Sequence, residues 1–343
     1  MKEKYKNIYL IGSYGWLGKR LLQEIIKDKY EIIDVGGKIN CLIEPGQARI
    51  HKDINYFEGN ITSYEDCLKF FINSEDGLII NTAGIIHPYL FSRDFKKINL
   101  QGTKNLYEAS KKYKAKKFIA ISSNSPFGAN PDLRPFDEKS EFRPYMNYGQ
   151  SKMEMEKYLT GKMNISSTPI TIIRPPWFYG PEQPSRQNRF FTMVKKGLFP
   201  IMGDGKYIRS LAYVDSIVSG ILLSAKNNIS NNKTYWLSDD EPYYLIDIIE
   251  TIKTILKEDF QIKTNPKNLY IPAFVSDLAK YGDKLIQGLG LYNQNIHVLS
   301  EQNMNIFCSN EKIKLDLGYK PICTLNEGMR RSIDWCLSQG LDI

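Results

Sequence analysis

Histidine is scarce in this 343-residue chain. The three that occur, His51, His87 and His297, lie far apart in sequence, so neither a histidine-based metal site nor a Ser-His-Asp triad is expected. Cysteine is sparse as well. Cys41, Cys67, Cys308, Cys323 and Cys336 are odd in number and lack metal-type spacing, which points to reduced, mostly buried thiols and no metal. No apolar run is long enough to span a bilayer. The start, Met1-Lys2-Glu3-Lys4-Tyr5-Lys6, leads straight into a strand with no signal-peptide core. A cytoplasmic protein with no membrane partner is the expectation. Internal repeats and low-complexity tracts are missing too.

The formal net charge is +8. The lysines are dispersed, as in Lys111-Lys112-Tyr113-Lys114-Ala115-Lys116-Lys117, where a helix end runs into a strand. They make a solvated basic surface that favours the helix C-terminus. Such a surface draws in an anionic small molecule and implies no nucleic-acid partner.

What the chain does have is alternation. Short apolar runs bounded by polar residues, at 7–11, 30–35, 54–57, 77–81, 117–121 and 169–173, predict strands. Between them lie an amphipathic helix through Leu17, Leu21, Leu22, Ile25 and Ile26, another over 92–113, and one starting near Tyr145. Strand and helix in turn predict an α/β fold with a doubly wound parallel sheet of the Rossmann type. Residues 1–173 are assigned to this dinucleotide-binding domain. After Arg174 prolines cluster and strands thin out, so 174–343 is assigned to a smaller substrate lobe, with part of 211–238 returning to the sheet.

The first strand runs into Gly12-Ser13-Tyr14-Gly15-Trp16-Leu17-Gly18. Glycines between a strand and a helix permit a tight turn and let backbone approach a pyrophosphate at the helix N-terminus. Further on, Tyr148 and Lys152 stand four apart, on one face of the predicted helix. An ammonium beside a phenol favours the phenolate, and a phenol so poised passes a proton to or from a hydroxyl or ketone.

The G-x-x-G-x-x-G spacing together with Tyr148 and Lys152 resembles the extended short-chain dehydrogenase/reductase superfamily. Other stretches agree in order: Asn81-Thr82-Ala83-Gly84, Asn99-Leu100-Gln101-Gly102-Thr103, Ser122-Ser123-Asn124-Ser125-Pro126-Phe127-Gly128, Arg174-Pro175, Tyr179-Gly180-Pro181, and Arg209 through Asp215. The resemblance implies NAD or NADP as cofactor. It would be held by Gly12, Ser13, Gly15, Trp16, Leu17 and Gly18, by Asn60 and Ile61 at the adenine, and by Ala83, Gly84, Asn99, Ser122 and Pro175, with Tyr148 and Lys152. An acid ending the second strand would select NAD. Gly36, with Lys38 close by, falls there in one alignment and suits a phosphate; Asp34 falls there in another and suits NAD.

The resemblance further implies that Ser123 holds the substrate oxygen while Tyr148 transfers the proton and Lys152 keeps the tyrosine pKa low. Nucleotide-sugar 4,6-dehydratases carry an Asp-Glu pair where this chain has Asn124 and Ser125, which disfavours dehydration. Arg209, helped by Arg186 and Arg189, would meet a substrate diphosphate. Trp177 replaces an asparagine that touches substrate in relatives. The expected activity is oxidation–reduction or epimerisation of a nucleotide-activated sugar, in a homodimer formed through helices near 92–113 and 145–161. The apolar segment 270–291 resembles the 3β-hydroxysteroid dehydrogenase branch, so an apolar alcohol is the alternative substrate. A non-catalytic dinucleotide sensor is the further rival.

Overall fold

The computed structural model describes residues 3–343; Met1 and Lys2, part of the start considered above, lie outside the described residues. The chain runs β1 (Tyr5–Ile11), α1 (Trp16–Lys27), β2 (Ile33–Ile43), β3 (Asn55–Glu58), α2 (Tyr64–Phe71), β4 (Leu78–Asn81), α3 (Arg93–Phe95), a π-helical segment (Lys96–Gly102), α4 (Thr103–Lys112), β5 (Lys117–Ile121), α5 (Met146–Thr160) and β6 (Ile170–Arg174). It continues through β7 (Trp177–Tyr179), α6 (Ser185–Lys195), β8 (Pro200–Met202), β9 (Ile208–Arg209), β10 (Leu211–Tyr213), α7 (Val214–Lys226) and β11 (Lys233–Trp236). The remainder is β12 (Tyr243–Tyr244), α8 (Leu245–Glu258), β13 (Leu269–Ile271), α9 (Phe274–Gly288), α10 (Gln294–Ser300), α11 (Glu311–Leu317) and α12 (Leu325–Ser338).

Seven strands form one sheet in the order β11-β6-β5-β4-β1-β2-β3, and every neighbouring pair is parallel. Successive side chains of a strand point to opposite faces, and the two faces have separate cores. Ile8, Leu10, Ile80 and Ile119 pack with Leu21, Leu22 and Ile25 of α1 and Ile217, Val218 and Ile221 of α7. Tyr9, Ile79, Phe118 and Ile172 pack with Phe70 and Phe71 of α2, Leu106 and Tyr107 of α4, and Met155 and Leu159 of α5. A third core binds α6, α8 and α12 through Phe191, Val194, Ile248, Ile252, Met329 and Ile333.

Strand order reverses between β1 and β4, and at such a switch point the ends of neighbouring strands leave a crevice for a ligand. That crevice receives the glycine turn from β1, Asn81 to Gly84 from β4, and Ser122 to Ser125 from β5.

One strand differs from expectation in a way that moves a site. The second strand was predicted over 30–35; it spans Ile33–Ile43, and its first half is largely exposed. Its buried part begins at Ile39, because the run Ile39-Asn40-Cys41-Leu42 pairs with Ile8–Ile11 of β1. Apolar residues at 32, 33 and 35 suggested a strand earlier than the one that enters the core. Register therefore places Leu42 level with Ile11, the last residue before the glycine turn.

Candidate functional site

The glycine turn has no room for side chains. Gly12 sits at φ +85°, and a Cβ there would lie 2.6 Å from the Ala83 nitrogen. A Cβ on Gly18 would collide with the Gly12 carbonyl, so α1 can approach this closely only through glycine. The Thr82 hydroxyl pins β4 to β1 by donating to the Ile11 carbonyl at 2.8 Å. No side chain caps the N-terminus of α1, leaving its first N–H groups directed at the crevice.

These residues fit a dinucleotide. The Ser122 hydroxyl is buried with no hydrogen-bond partner, and that of Ser13 faces only the buried Cys41 thiol. A buried hydroxyl without a partner costs free energy unless a ligand supplies one. When bound, the nicotinamide of such a cofactor would supply a carbon that accepts or donates hydride.

On the β5 side, Gly149 is what brings α5 against the serine loop. A side chain at 149 would run into the Ser125 carbonyl, and the Tyr145 N–H already donates to that same carbonyl at 3.0 Å. Tyr148 is buried beside the Ser123 hydroxyl. The Ser123 hydroxyl itself donates to Asn124 Oδ1 at 3.1 Å. Lys152, also buried, donates to the Ile121 carbonyl at 2.8 Å, and Gly84 lies beside both it and Asn99.

Asn99 stands in the π-helical segment, a wider turn that recurs at functional sites. Fully buried, it accepts from the Ile85 N–H at 2.9 Å and donates to the Ile85 carbonyl at 3.0 Å and the Ser151 hydroxyl at 3.1 Å. One side chain thus ties the loop after β4 to α5.

The electrostatics correct one expectation. Tyr148 is pushed up to about 12, because burial strips the phenolate of water; Ser123 and Arg186 pull it back and Glu301 opposes them. Lys152 is lowered to about 8, again by burial first, with Glu156 resisting. The Lys152 ammonium is engaged with the Ile121 carbonyl, and the downward pull on the phenol comes from Ser123 and Arg186. Behind the pair, Glu156 and Arg174 form an enclosed ion pair at 2.7 Å.

On the substrate side, Arg186 lies in the first turn of α6. Part of its side chain is open to solvent, yet its charge acts on Tyr148, Tyr292 and His87 together. His87 and Tyr292 face each other, Nδ1 to hydroxyl, at 2.5 Å. Burial lowers His87 to about 3, with the charges of Arg186 and His297 adding to the effect, so its imidazole is neutral. Phe95, Tyr148 and Tyr292 pack in one cluster with Ile85 against it.

The other expected residues divide. Ala83, Gly84, Asn99 and Ser122 converge on Ser123, Tyr148 and Lys152, and Pro175 follows β6 on the same edge. Asn60 and Ile61 follow β3; the Asn60 N–H donates to Asp66 at 2.9 Å and the Ile61 carbonyl accepts from Asn105 at 2.9 Å. Leu17 is buried in the sheet core. Trp16 spends its indole N–H on the Pro181 carbonyl at 2.7 Å and packs on Phe178, so its side chain bridges to the segment after β7. Trp177 packs edge-on against Phe190. Arg209 donates to the Glu301 carbonyl, and Arg189 is exposed with no polar partner among the described residues.

Asp34, Gly36 and Lys38 are not brought to the crevice. Register sets Lys38 against Asn7, at the start of β1 and the far end from the glycine turn. The acid next to the crevice is Glu44, one residue beyond β2 and exposed. It was missed because the strand was set too early. His87 and Tyr292 were missed as well. His87 carried a weak signal, following Gly84 by three residues; Tyr292 carried none.

A parallel sheet with a glycine turn at its switch point, facing a buried Ser-Tyr-Lys set, defines a dinucleotide-dependent oxidoreductase of the extended short-chain type. The chain belongs to the NAD dependent epimerase/dehydratase family, whose sequence profile matches residues 8–237. It is 39% identical to an uncharacterised protein of Sinorhizobium fredii over 97% of this chain and 96% of that one. It is 23% identical to the N-acetyl-alpha-D-glucosaminyl-diphospho-ditrans,octacis-undecaprenol 4-epimerase of Escherichia coli O157:H7, over 96% of this chain and 95% of the relative. It is also 23% identical to a decarboxylating sterol-4-alpha-carboxylate 3-dehydrogenase of Candida albicans, over 98% and 99% of the two chains. Among solved structures, UDP-glucose 4-epimerase of Thermotoga maritima matches at a TM-score of 0.75 and 20% identity, covering 97% of this chain and 99% of that one.

Proposed function

We propose that this protein moves hydride between NAD and a hydroxyl- or keto-bearing carbon of a nucleotide-activated sugar, as an epimerase or a net oxidoreductase. The observation that carries the reading is the buried set of Ser123, Tyr148 and Lys152 on the edge that receives the glycine turn. Ser123 holds the substrate oxygen. Tyr148 gives or takes its proton at the phenol oxygen, and burial excludes the water that would compete. Lys152, positioned by Ile121, anchors the ribose side of the cofactor. Asn124 and Ser125 supply no second acid–base pair, so water elimination is not part of the reaction.

Glu44 supports NAD over NADP. A carboxylate just past β2 accepts hydrogen bonds from ribose hydroxyls and repels a 2′-phosphate. Glu44→Ala is expected to narrow the preference for NAD in kcat/KM by on the order of tenfold, about 1.4 kcal/mol. Arg186, set among Tyr148, Tyr292 and His87, favours an anionic, hydroxyl-rich substrate. The relative acting on a diphospho-linked sugar is consistent with this.

The test is thermal protection by UDP, GDP, CDP and dTDP, together with identification of any nucleotide released on denaturation. Protection and released NAD support an epimerase; protection by none of the four counts against the sugar reading. The second reading, an apolar alcohol, rests on Phe95, Tyr292 and Ile85 around Tyr148 and on the sterol dehydrogenase relative.

A further inference from the structure

Helix α9 is built inside out. Its buried side chains are Ser276, Asp283 and Gln287, all polar. Ser276 donates to the Leu299 carbonyl at 2.8 Å, Asp283 pairs with His297 at 2.7 Å, and Gln287 donates to Asp283 at 2.9 Å while accepting from the Asn147 N–H at 3.0 Å. The opposite face carries Phe274, Leu278, Tyr281, Leu285 and, at the cap, Leu289. This stripe at helical spacing is between 60% and 79% exposed.

The stripe does not stand alone. Tyr270 and Leu269 extend it at one end. At the other, the loop carrying Tyr89, Leu90 and Phe91 is stitched to it. Phe91 bridges Leu291, the Ser92 N–H donates to the Gly290 carbonyl at 3.0 Å, and the Tyr292 N–H donates to the Leu90 carbonyl at 2.8 Å. Tyr89 is wholly exposed. Large apolar side chains gathered on one exposed face in this way mark an interaction site. Hydrophobic burial within this chain cannot account for it, because the helix is held in place by its polar side.

Cations rim the patch. Lys284 is exposed on one flank of α9, Arg93 lies over the Phe91 ring at 4.8 Å, and the exposed Lys280 beside Lys284 reaches over the Tyr145 ring at 5.9 Å. The one acid on that flank, Asp277, is engaged by Asn303 at 2.9 Å. No helix among the described residues is long and apolar enough to cross a membrane.

We propose that α9 and the 89–91 loop form a docking surface for an anionic lipid bilayer, with the helix lying in the plane of the interface. An apolar stripe flanked by lysines, on a helix too short to span, is the arrangement that inserts at the headgroup–acyl boundary. A second copy of the chain is the poorer occupant. A twofold contact would bring a second cationic rim to the same patch, whereas anionic headgroups meet these cations with opposite charge. Docking here seats the catalytic cleft at the bilayer surface: Gln287 holds Asn147, the neighbour of Tyr148, and the 89–91 loop follows directly from Gly84.

The test is flotation of the full chain with vesicles of mixed phosphatidylglycerol and phosphatidylcholine, and with phosphatidylcholine alone, alongside light scattering for oligomeric state. The wild type is expected to float with the anionic vesicles. The double variant Leu278→Ser/Leu285→Ser should bind at least about tenfold more weakly while its melting temperature stays unchanged, since both side chains already face solvent. Lys280→Glu/Lys284→Glu should lose binding to the anionic vesicles alone, by roughly fivefold or more for each charge. Failure of the wild type to float with either vesicle overturns the proposal. So does a wild-type dimer that the leucine variant dissociates without any vesicle binding, which would make the patch a contact between copies.

Discussion

Helices α5 and α9 are each fifteen residues long, and both turn polar side chains toward the protein. On α5 the buried polar groups are Tyr148, Ser151, Lys152 and Glu156; on α9 they are Ser276, Asp283 and Gln287. The difference lies in how they are satisfied and in what the outer faces meet. Those of α9 are matched to fixed partners. Those of α5 include a phenol that burial pushes up to about 12 and an ammonium that burial lowers to about 8. Outside, α5 is made for water: Gln150 bonds Glu154 at 2.8 Å and Glu154 pairs with Lys96 at 3.1 Å. The outer face of α9 is made for something apolar. Buried polarity alone therefore does not mark a reaction centre.

The largest effect is expected at α5. Tyr148→Phe removes the hydroxyl proposed to transfer the proton and keeps the ring on Phe95, with which it packs at 5.7 Å. Turnover should fall by about 10²–10⁴ with the melting temperature held. A variant turning over at the wild-type rate would break the comparison, because the buried polar groups of α5 would then be as purely structural as those of α9.

Next come the two buried carboxylates. Glu156→Ala leaves Arg174 enclosed without its partner and should cost about 3–5 kcal/mol in urea unfolding. Asp283→Ala does the same to His297, and here pH separates the two helices. Hydrogen bonding and attraction from Asp283, with Glu301 adding, raise His297 above its ordinary value despite burial. A raised cation contributes stability that is fully present below the unfolded pKa and fades as pH rises through the folded one. The contribution of the Asp283–His297 pair should therefore fade as pH climbs above about 6.5, and the difference in stability between wild type and His297→Gln should shrink over that range. The cost of Glu156→Ala should stay level until higher pH, because arginine does not titrate there and Lys152, which Glu156 supports, loses its charge only near 8.

Asn99→Ala orphans the Ile85 N–H and carbonyl, which should cost about 1–3 kcal/mol and weaken cofactor binding by loosening the loop after β4. The smallest effect belongs to the wet face of α5. Glu154→Gln should change stability by less than about 0.5 kcal/mol.

The elements that local chemistry defines were legible in the chain. A glycine turn between a strand and a helix, a Tyr-x-x-x-Lys pair and a double serine after an apolar run each carry their meaning within a few residues. The second strand was not, because two apolar stretches compete and only pairing with β1 decides which one enters the sheet. That decision moved the acid at the crevice from Asp34 to Glu44. The contact of His87 with Tyr292 joins residues 205 apart, beyond the reach of any local pattern. The apolar character of 270–291 could be read directly. Its direction could not: a helical stripe looks the same whether it faces a core or the solvent.

The sequence by itself determined the alternating fold, the glycine turn after β1 and the Tyr-x-x-x-Lys pair on α5, because periodicity and backbone freedom are local properties. Tertiary structure alone decided that burial lifts Tyr148 and lowers Lys152, that Arg186 joins His87 and Tyr292 beside them, and that α9 turns its leucines outward. Those outcomes depend on solvent access and on contacts between distant segments, which exist only once the chain has folded.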